Sequence, residues 1–353
     1  MTNITNLKTS PPDIMGLNFS NEEIQEAIMG ERILLLTLFT QMTCNLRCPY
    51  CFTSPWLPPK GNPLSLKDYR NLFQQAKDFG AKSVWWVGIG EPLLFPDFKK
   101  IVQEIYSANL ALIVFTNGTR MSVASANLLL DINASIFVKC NSFTPSIQNA
   151  LCGDVEYAFE RISETLNLLI QLGFNRCYPS RLGIQSIIAK QNLTELPSLY
   201  KWARMQNIIP LFEMIIENSP CLAKSVENLQ PSLSDIEKLY NLLLEIDENT
   251  FNITWEPTPP YVGKQCDKFL YTLSVDPYGN VMSCAASNES VGNIKDISLS
   301  AIWKGPFFQT IRNIYNCLEG KCGRCELVCA GCRSEAFAKS GSFFAEYPRC
   351  WRK

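Results

Sequence analysis

The sequence predicts an α/β protein in two parts, a partial (β/α)6 TIM-like barrel followed by a small cysteine-rich domain. Three observations carry this expectation. From about residue 33 to 218, short apolar runs alternate with helical patterns, as a parallel sheet with outer helices requires. The alternation makes six βα-like units, two short of a closed eight-stranded barrel, so the barrel is expected to be open. Past residue 260 the pattern stops, and eight of the chain's 15 cysteines fall between Cys266 and Cys350.

The bulk properties narrow the function classes. A chain of 353 residues with 46% hydrophobic residues has enough material for two domains and a large core. A net charge of −1, without Lys/Arg runs, offers no basic field to a nucleic-acid backbone, so no nucleic-acid partner is expected. No apolar run reaches the roughly 18 residues of a membrane span, and Met1 to Asp13 is polar without a signal-peptide core. A cytoplasmic location and no membrane partner follow as expectations. Disulfides are reduced in that compartment, so clustered cysteines point to metal. Histidine is absent, which removes the commonest general base and the commonest zinc ligand together.

The elements read in order as follows. Residues 1–32 form an N-terminal arm with a helix at Asn21 to Ile28, capped by Asn21, with Glu22 and Glu23 in its first turn. The barrel is expected over 33–230. Its strands are Ile33 to Phe39, Ser83 to Val87, Leu110 to Phe115, Ser135 to Val138, Leu182 to Ile188 and Pro210 to Ile216. Its helices are Ser65 to Phe79, Phe98 to Ala108, Met121 to Leu130, Val155 to Leu172 and Leu196 to Met205. A linker helix, Ser234 to Ile246, with Ser232 or Ser234 as cap, occupies 231–259 and ends in the turn cluster Pro257-Thr258-Pro259-Pro260. The cysteine-rich domain takes 260–353 and opens on a hairpin, Tyr271 to Ser283, turning at Asp276 to Asn280.

The chemistry begins just after the first strand. Cys44-x3-Cys48-x2-Cys51 places three thiols on one short loop. An Fe–S cube takes four ligands, so a three-thiol loop leaves one iron open to a small molecule. Buried structural cysteines or a zinc knuckle are the alternatives, although zinc favours four ligands in two close pairs. After the second strand comes Gly88-Ile89-Gly90-Glu91-Pro92, where glycines would admit a ligand and Glu91 would receive an ammonium group. A tight turn is the plain reading of that run alone.

The cysteine loop, with the aromatics Tyr50 and Phe52 flanking Cys51, resembles that of the radical S-adenosylmethionine (radical SAM) superfamily. The Gly-rich run resembles that family's GGEP motif, with Ile89 in place of a glycine. The resemblance implies a [4Fe–4S] cluster on Cys44, Cys48 and Cys51 and S-adenosylmethionine (SAM) chelated to the fourth iron. An electron then breaks a C–S bond of SAM to give a 5′-deoxyadenosyl radical. It also implies that Phe52, Gly88, Gly90, Glu91 and Pro92 bind SAM, with Asn117 of Thr116-Asn117-Gly118 beside it. Asn141 and Ser142 would bond the ribose, and Gln185 joins the set. A turn at Asn117 and a strand-end cap at Asn141 and Ser142 are the structural alternatives. Gln185, Ser186 and Glu213 face core or cleft by alternation, and an unpartnered buried Glu213 would be costly, which favours cleft.

The C-terminal array, Cys266-x12-Gly-x4-Cys284 and then Cys317-x4-Cys322-x2-Cys325-x3-Cys329-x2-Cys332 with Cys350 beyond, resembles a SPASM domain. That resemblance implies one or two auxiliary [4Fe–4S] clusters: Cys266, Cys284 and Cys332 on the first, and Cys322, Cys325, Cys329 and Cys350 on the second. Cys317 is a further candidate for the first. The later spacings, three and two residues where the family has five and three, leave the split open, and paired zinc-ribbon sites remain the alternative. Cys140, Cys152, Cys177 and Cys221 are unassigned and expected in the core, Cys140 being nearest the SAM site.

The family's chemistry implies hydrogen abstraction from a substrate C–H bond, with an external electron donor. Any accompanying deprotonation falls to Glu213, Glu217, Lys139 or a tyrosine, and Cys140, Lys139 and Glu213 are the catalytic candidates. The expected substrate is a ribosomally made precursor peptide that is cross-linked, epimerised or cut. The short arm leaves its leader to a separate binding protein. Oxidation or epimerisation of a small sugar or aminocyclitol is the alternative substrate class, and a non-enzymatic Fe–S carrier the remaining one.

Overall fold

A computed structural model of the chain describes residues 13–52, 61–218, 220–258, 266, 268–287, 289–327 and 329–352, with backbone alone at 220 and 221. The arm before residue 13, Pro259 and Pro260 of the turn cluster, and the side chain of Cys221 lie outside the described residues.

The expected half-barrel is present. Strands β1 (Leu35–Leu38), β2 (Ser83–Trp86), β3 (Ala111–Thr116), β4 (Ser135–Lys139), β5 (Leu182–Ile188) and β6 (Ile209–Met214) pair in sequence order and all in parallel. The cysteine-rich part is not a separate body on the sheet. Its hairpin continues the barrel: β7 (Thr272–Val275) pairs in parallel with β1, Leu35 opposite Thr272, and β8 (Asn280–Met282) and β9 (Gly292–Asn293) follow antiparallel. Among the described residues the sheet runs β6-β5-β4-β3-β2-β1-β7-β8-β9.

Helices cover the outer face. They are α1 (Asn21–Met29), α2 (Leu66–Asp78), α3 (Phe98–Ser107), α4 (Val123–Asp131), α5 (Pro145–Leu151), α6 (Ala158–Gln171), α7 (Leu196–Met205), α8 (Pro220–Val226) and α9 (Leu233–Ile246). Four short ones close the C-terminal part: α10 (Leu299–Trp303), α11 (Pro306–Arg312), α12 (Gly320–Gly323) and α13 (Arg333–Ser340). Strand residues alternate as the pleat demands. Leu36, Val84, Val114, Ile136 and Ile184 point outward into the main core, while Ile113, Phe115 and Phe137 fill the barrel interior. Each such fully buried side chain contributes about 1.5–3 kcal/mol relative to exposure.

The cap of α1 differs from expectation. Ser20, not Asn21, holds the extended cap conformation, and its Oγ accepts from Glu23 N–H while the Glu23 carboxylate accepts from Ser20 N–H. This reciprocal pair satisfies two donors that a lone asparagine side chain could not. The linker helix α9 is capped by Ser232 and packs on α7, where buried Asp247 accepts from Tyr200 Oη at 2.6 Å, Trp255 Nε1 at 2.9 Å and Arg204 Nε at 3.1 Å. Helix α5 was not foreseen; its seven residues are too few to show a period.

The arm closes one end of the barrel. Ile14 is fully buried against the interior cluster. Met15 N–H donates to Ser180 O at 2.9 Å, Ser83 Oγ to Gly16 O at 2.6 Å and Ser135 Oγ to Met15 O at 2.8 Å. The opposite end, where the strands' C-termini carry their loops, is where α/β barrels place chemistry.

Candidate active site

The three-thiol loop leaves β1 and is seated on the Gly-rich loop after β2. Gln41 Nε2 donates to Glu91 O at 2.8 Å, and Glu91 N–H donates to Thr43 O at 2.9 Å. Gly90 has φ +92°, and a Cβ there would meet Thr43 O at 2.5 Å and Gln41 O at 2.9 Å. A Cβ on Gly88 would fall 1.7 Å from Gly90 O. The two glycines therefore admit the chain itself, loop against loop, where a ligand was expected to approach. Pro92 starts a 3-10 turn for which Glu91 is the cap.

Glu91 is 2% exposed, and its carboxylate accepts from Leu93 N–H at 3.1 Å, Thr116 Oγ1 at 2.5 Å and Asn117 N–H at 2.7 Å. Burial raises its carboxyl above the usual range, and the three donors oppose that rise. The side chain thus ties the end of β3 to the cluster loop. Asn117 extends the same tie: its Nδ2 reaches Asn45 Oδ1 at 3.1 Å and Cys44 Sγ at 3.8 Å, and Asn45 Nδ2 donates to Thr119 Oγ1 at 2.8 Å.

The three thiols differ in surroundings. Cys44 lies at the solvent edge, yet desolvation pushes its thiol up to about 11; Cys48 and Cys51 are half-buried. Leu46 N–H points at Cys44 Sγ from 3.4 Å. Cys48 meets Cys152 at the end of α5: contact with that sulfur and burial raise the Cys48 thiol, while the same contact lowers Cys152, whose Sγ also accepts from Gln148 Nε2 at 3.1 Å. Among the described residues, no three cysteine, aspartate or glutamate side chains close on a point as one metal ion would require. A cube spreads its ligands over separate irons. Three thiols on one loop, with Cys44 met by N–H donors from Leu46 and Asn117, match the donor set of an Fe–S cluster.

Beneath the loop, β4, β5 and β6 present Lys139, Gln185 and Glu213. Lys139 is in register with Gln185, and Glu213 with Ile187 two residues on. The Gln185 amide donates to the Glu213 carboxylate, so Glu213 is paired as well as half-exposed. Gln185 Oε1 is buried and finds no partner among the described residues. The Lys139 ammonium opposes the upward shift of both Glu91 and Cys48 and favours the Cys152 thiolate.

Other sequence-predicted residues are engaged by the scaffold. Asn141 is fully buried, donating from Nδ2 to Tyr50 Oη at 3.0 Å and accepting from Ile187 N–H at 2.9 Å. Ser142 is buried with its Oγ on Glu195, and its N–H donates to Gln148 Oε1 at 3.1 Å. Both act as strand-end caps here. Cys140 is buried in the outer core and burial pushes its thiol up to about 12, which keeps it protonated and away from the mouth. Phe52 packs beside Tyr50 and Ile187, and its carbonyl accepts from Asn218 Nδ2 at 3.2 Å. Gln148 and Glu195 escaped the sequence reading because no spacing links them to the motifs, and Cys152, expected in the core and found there, gave no sign of its contact with Cys48.

The C-terminal cysteines fall into two sets. Cys266, Cys284 and Cys332 line one small cavity with Ser283, Ser287 and Arg333. Burial and the charges of Glu335, Cys266 and Cys284 raise the Cys332 thiol well above its usual value. Cys322, Cys329 and Cys350 pack around Tyr347, where Cys332 joins the two sets, and exposed Cys325 follows Cys322, with its N–H 3.4 Å from Cys322 O. Sulfur-directed donors recur: Ala286 N–H lies 3.4 Å from Cys284 Sγ and Tyr347 N–H 3.2 Å from Cys322 Sγ. Cys317, on a 3-10 turn, meets Asn313 Nδ2 at 3.9 Å and is not among the residues lining the cavity.

A family profile described as the radical SAM superfamily matches residues 38–202, from the end of β1 into α7. A second, for the SPASM iron–sulfur cluster-binding domain, matches residues 266–326. The chain carries a radical SAM domain. The SPASM match makes it a radical SAM/SPASM enzyme, with Cys329, Cys332 and Cys350 lying past the matched segment. It is 26% identical over 321 residues to a tungsten-containing aldehyde ferredoxin oxidoreductase cofactor-modifying protein of Pyrococcus furiosus, covering 82% of this chain and 87% of that one. It is 22% identical over 325 residues to a PqqA peptide cyclase of Granulibacter bethesdensis, covering 87% and 84%. The crystal structure of Streptococcus suis SuiB bound to precursor peptide SuiA superposes with a TM-score of 0.72 at 17% identity, covering 94% of this chain and 79% of SuiB. That likeness shows the fold of this radical SAM enzyme. No helix among the described residues is long and apolar enough to cross a membrane.

Proposed function

We propose that this radical SAM enzyme cleaves S-adenosylmethionine reductively and uses the resulting radical to modify a ribosomally made precursor peptide. The observation that carries the reading is the placement of the three-thiol loop at the strands' C-terminal end, above Lys139, Gln185 and Glu213, while the arm closes the other end. A [4Fe–4S] cluster on Cys44, Cys48 and Cys51 supplies the electron for C–S cleavage, drawn from an external donor, and clusters on the SPASM cysteines supply further electron-transfer capacity.

The chain's own residues do the rest. Glu91, Asn117 and Asn45 tie the cysteine loop to the end of β3, where Cys44, Cys48 and Cys51 would hold the cluster. Lys139 offers a cation to an anionic group of SAM or substrate. Glu213, oriented by Gln185, is the carboxylate placed to take a proton if the modification needs one. Cys140, enclosed in the outer core, is given no role in this reading.

The peptide substrate is supported by the PqqA peptide cyclase relative and by SuiB, crystallised with its precursor peptide. The described part of the arm is engaged in closing the barrel and packing α1 against the SPASM side, so leader recognition is assigned to a separate small protein. The Pyrococcus relative, a cofactor-modifying protein, favours a second reading with a small-molecule substrate.

The test is anaerobic incubation with SAM and a strong reductant, assaying 5′-deoxyadenosine, iron and sulfide. Candidate precursor peptides from neighbouring genes are then added, with and without small proteins encoded beside them. A mass shift in a peptide supports the reading. Zinc in place of iron, or intact SAM, defeats it. Turnover that responds to a small molecule and to no peptide transfers it to the second reading.

A further inference from the structure

The cavity lined by Cys266, Cys284 and Cys332 contains a cation that its thiols do not explain. Arg333 lines it and is 6% exposed. Its Nη1 donates to Phe343 O at 2.9 Å and Ala345 O at 2.6 Å, which fixes the plane of the guanidinium. Its Nε and Nη2 are buried and find no partner among the described residues. The neighbouring carboxylate of Glu335 is engaged elsewhere, by Arg349 and by Glu217 N–H at 2.8 Å.

A buried charged donor left unpaired is expensive, and arginine cannot escape by losing its proton. Ser283 and Ser287 line the same space, and the anionic acceptor there would be the sulfur of a cluster held by the three thiols. Protein N–H groups directed at cluster sulfur, and positive charge beside it, favour the reduced cluster, because reduction adds negative charge.

We propose that Arg333 is a positioning residue for an auxiliary cluster held by Cys266, Cys284 and Cys332: its Nε–H and Nη2–H donate to the cluster's sulfur and raise its reduction potential. The inference rests on the assignment of a cluster to those three thiols. Arg333 also stands within electrostatic reach of Cys322 and Cys329 of the second set, whereas the radical SAM loop is served by Asn117 and Leu46. The second auxiliary cluster therefore feels the same charge, and the radical SAM cluster does not.

The full-length chain is reconstituted anaerobically as wild type, Arg333→Lys, Arg333→Gln and Cys284→Ala. Iron and sulfide are counted, and each cluster is titrated by electron paramagnetic resonance. The signal lost in Cys284→Ala identifies the cluster in this cavity. That signal is expected to move to lower potential in Arg333→Gln and less far in Arg333→Lys, with iron content and the radical SAM signal unchanged. In wild-type protein carrying 15N-arginine, the same reduced cluster is expected to show a nitrogen coupling, a readout that needs no variant to fold. An unmoved signal, a shift confined to the other auxiliary cluster, or no coupling overturns the proposal. A residue that merely holds Phe343 and Ala345 would lower thermal stability and leave the potential in place. If Cys284→Ala loses no iron, the cluster assignment itself is what fails, and the proposal falls with it.

Discussion

The barrel and the SPASM part both gather thiols, by opposite means. In the barrel, Cys44, Cys48 and Cys51 share one loop, and neighbouring strand ends only brace it, through Glu91 and Asn117. In the SPASM part, Cys266, Cys284 and Cys332 come from three separate segments and meet only because β7 joins β1 and α13 folds back over the hairpin. A loop-built site depends on local backbone geometry. A dispersed site depends on the whole fold being in place. The two should respond differently to the same kind of damage.

Cys44→Ala gives the widest separation between them. It is expected to reduce 5′-deoxyadenosine formation to background while the auxiliary signals persist by electron paramagnetic resonance. Cys284→Ala is expected to do the reverse, keeping SAM cleavage and losing modified product. If both variants lose all iron, the two sites are one assembly and the contrast is void.

The seam is the next place to press. Arg349, near the C-terminus, reaches Ile215 O just past β6 at 2.6 Å, and its Nη1 reaches Gln230 Oε1 at 2.5 Å. It also pairs with Glu335, which is 2% exposed. Arg349→Met leaves that carboxylate buried without its cation, a change that costs about 3–5 kcal/mol. Denaturant unfolding should show the loss, with SPASM iron released before the barrel's. Simultaneous release would mean that the dispersed site does not lean on this contact.

Gly90→Ala aims at the loop-built side. The residue sits at φ +92°, and the added Cβ would stand 2.5 Å from Thr43 O, a backbone atom that cannot rotate away. Strain of this kind costs about 1–3 kcal/mol. The expected result is lower retention of the radical SAM cluster and intact auxiliary clusters, read from iron content and spectroscopy.

The same contrast explains what was legible in the sequence. Leu182–Ile188 and Leu196–Met205 were bounded correctly at both ends because a continuous apolar run and a clean helical period mark them. The three-thiol loop was legible because its chemistry lies in eight consecutive residues. The pairing of β7 with β1 was not, since four residues carry no record of a partner some 230 positions away. Asn141 stayed ambiguous in the sequence because a polar residue at a strand end looks the same whether it faces a ligand or Tyr50. Arg333 gave no signal at all: its unpaired edge exists only once Phe343 and Ala345 have taken the other.

Cys152→Ser carries the smallest expected effect and tests the contrast at its finest point. Cys152 is a fourth thiol beside the loop, supplied by α5, in contact with Cys48 and accepting from Gln148. If it ligated the cluster, the barrel site would also be dispersed, and no iron would stay open for SAM. Its place argues otherwise. It is nearly fully buried, its carbonyl accepts from Arg47 N–H at 3.2 Å, and a Cβ on the next residue, Gly153, would stand 2.3 Å from Arg47 O. These contacts make it a floor under the loop. Serine keeps the hydrogen-bonding capacity, so the exchange should cost about 1 kcal/mol or less. Iron content should be unchanged and SAM cleavage should remain within a few-fold of wild type. A loss as deep as that of Cys44→Ala would make Cys152 a ligand.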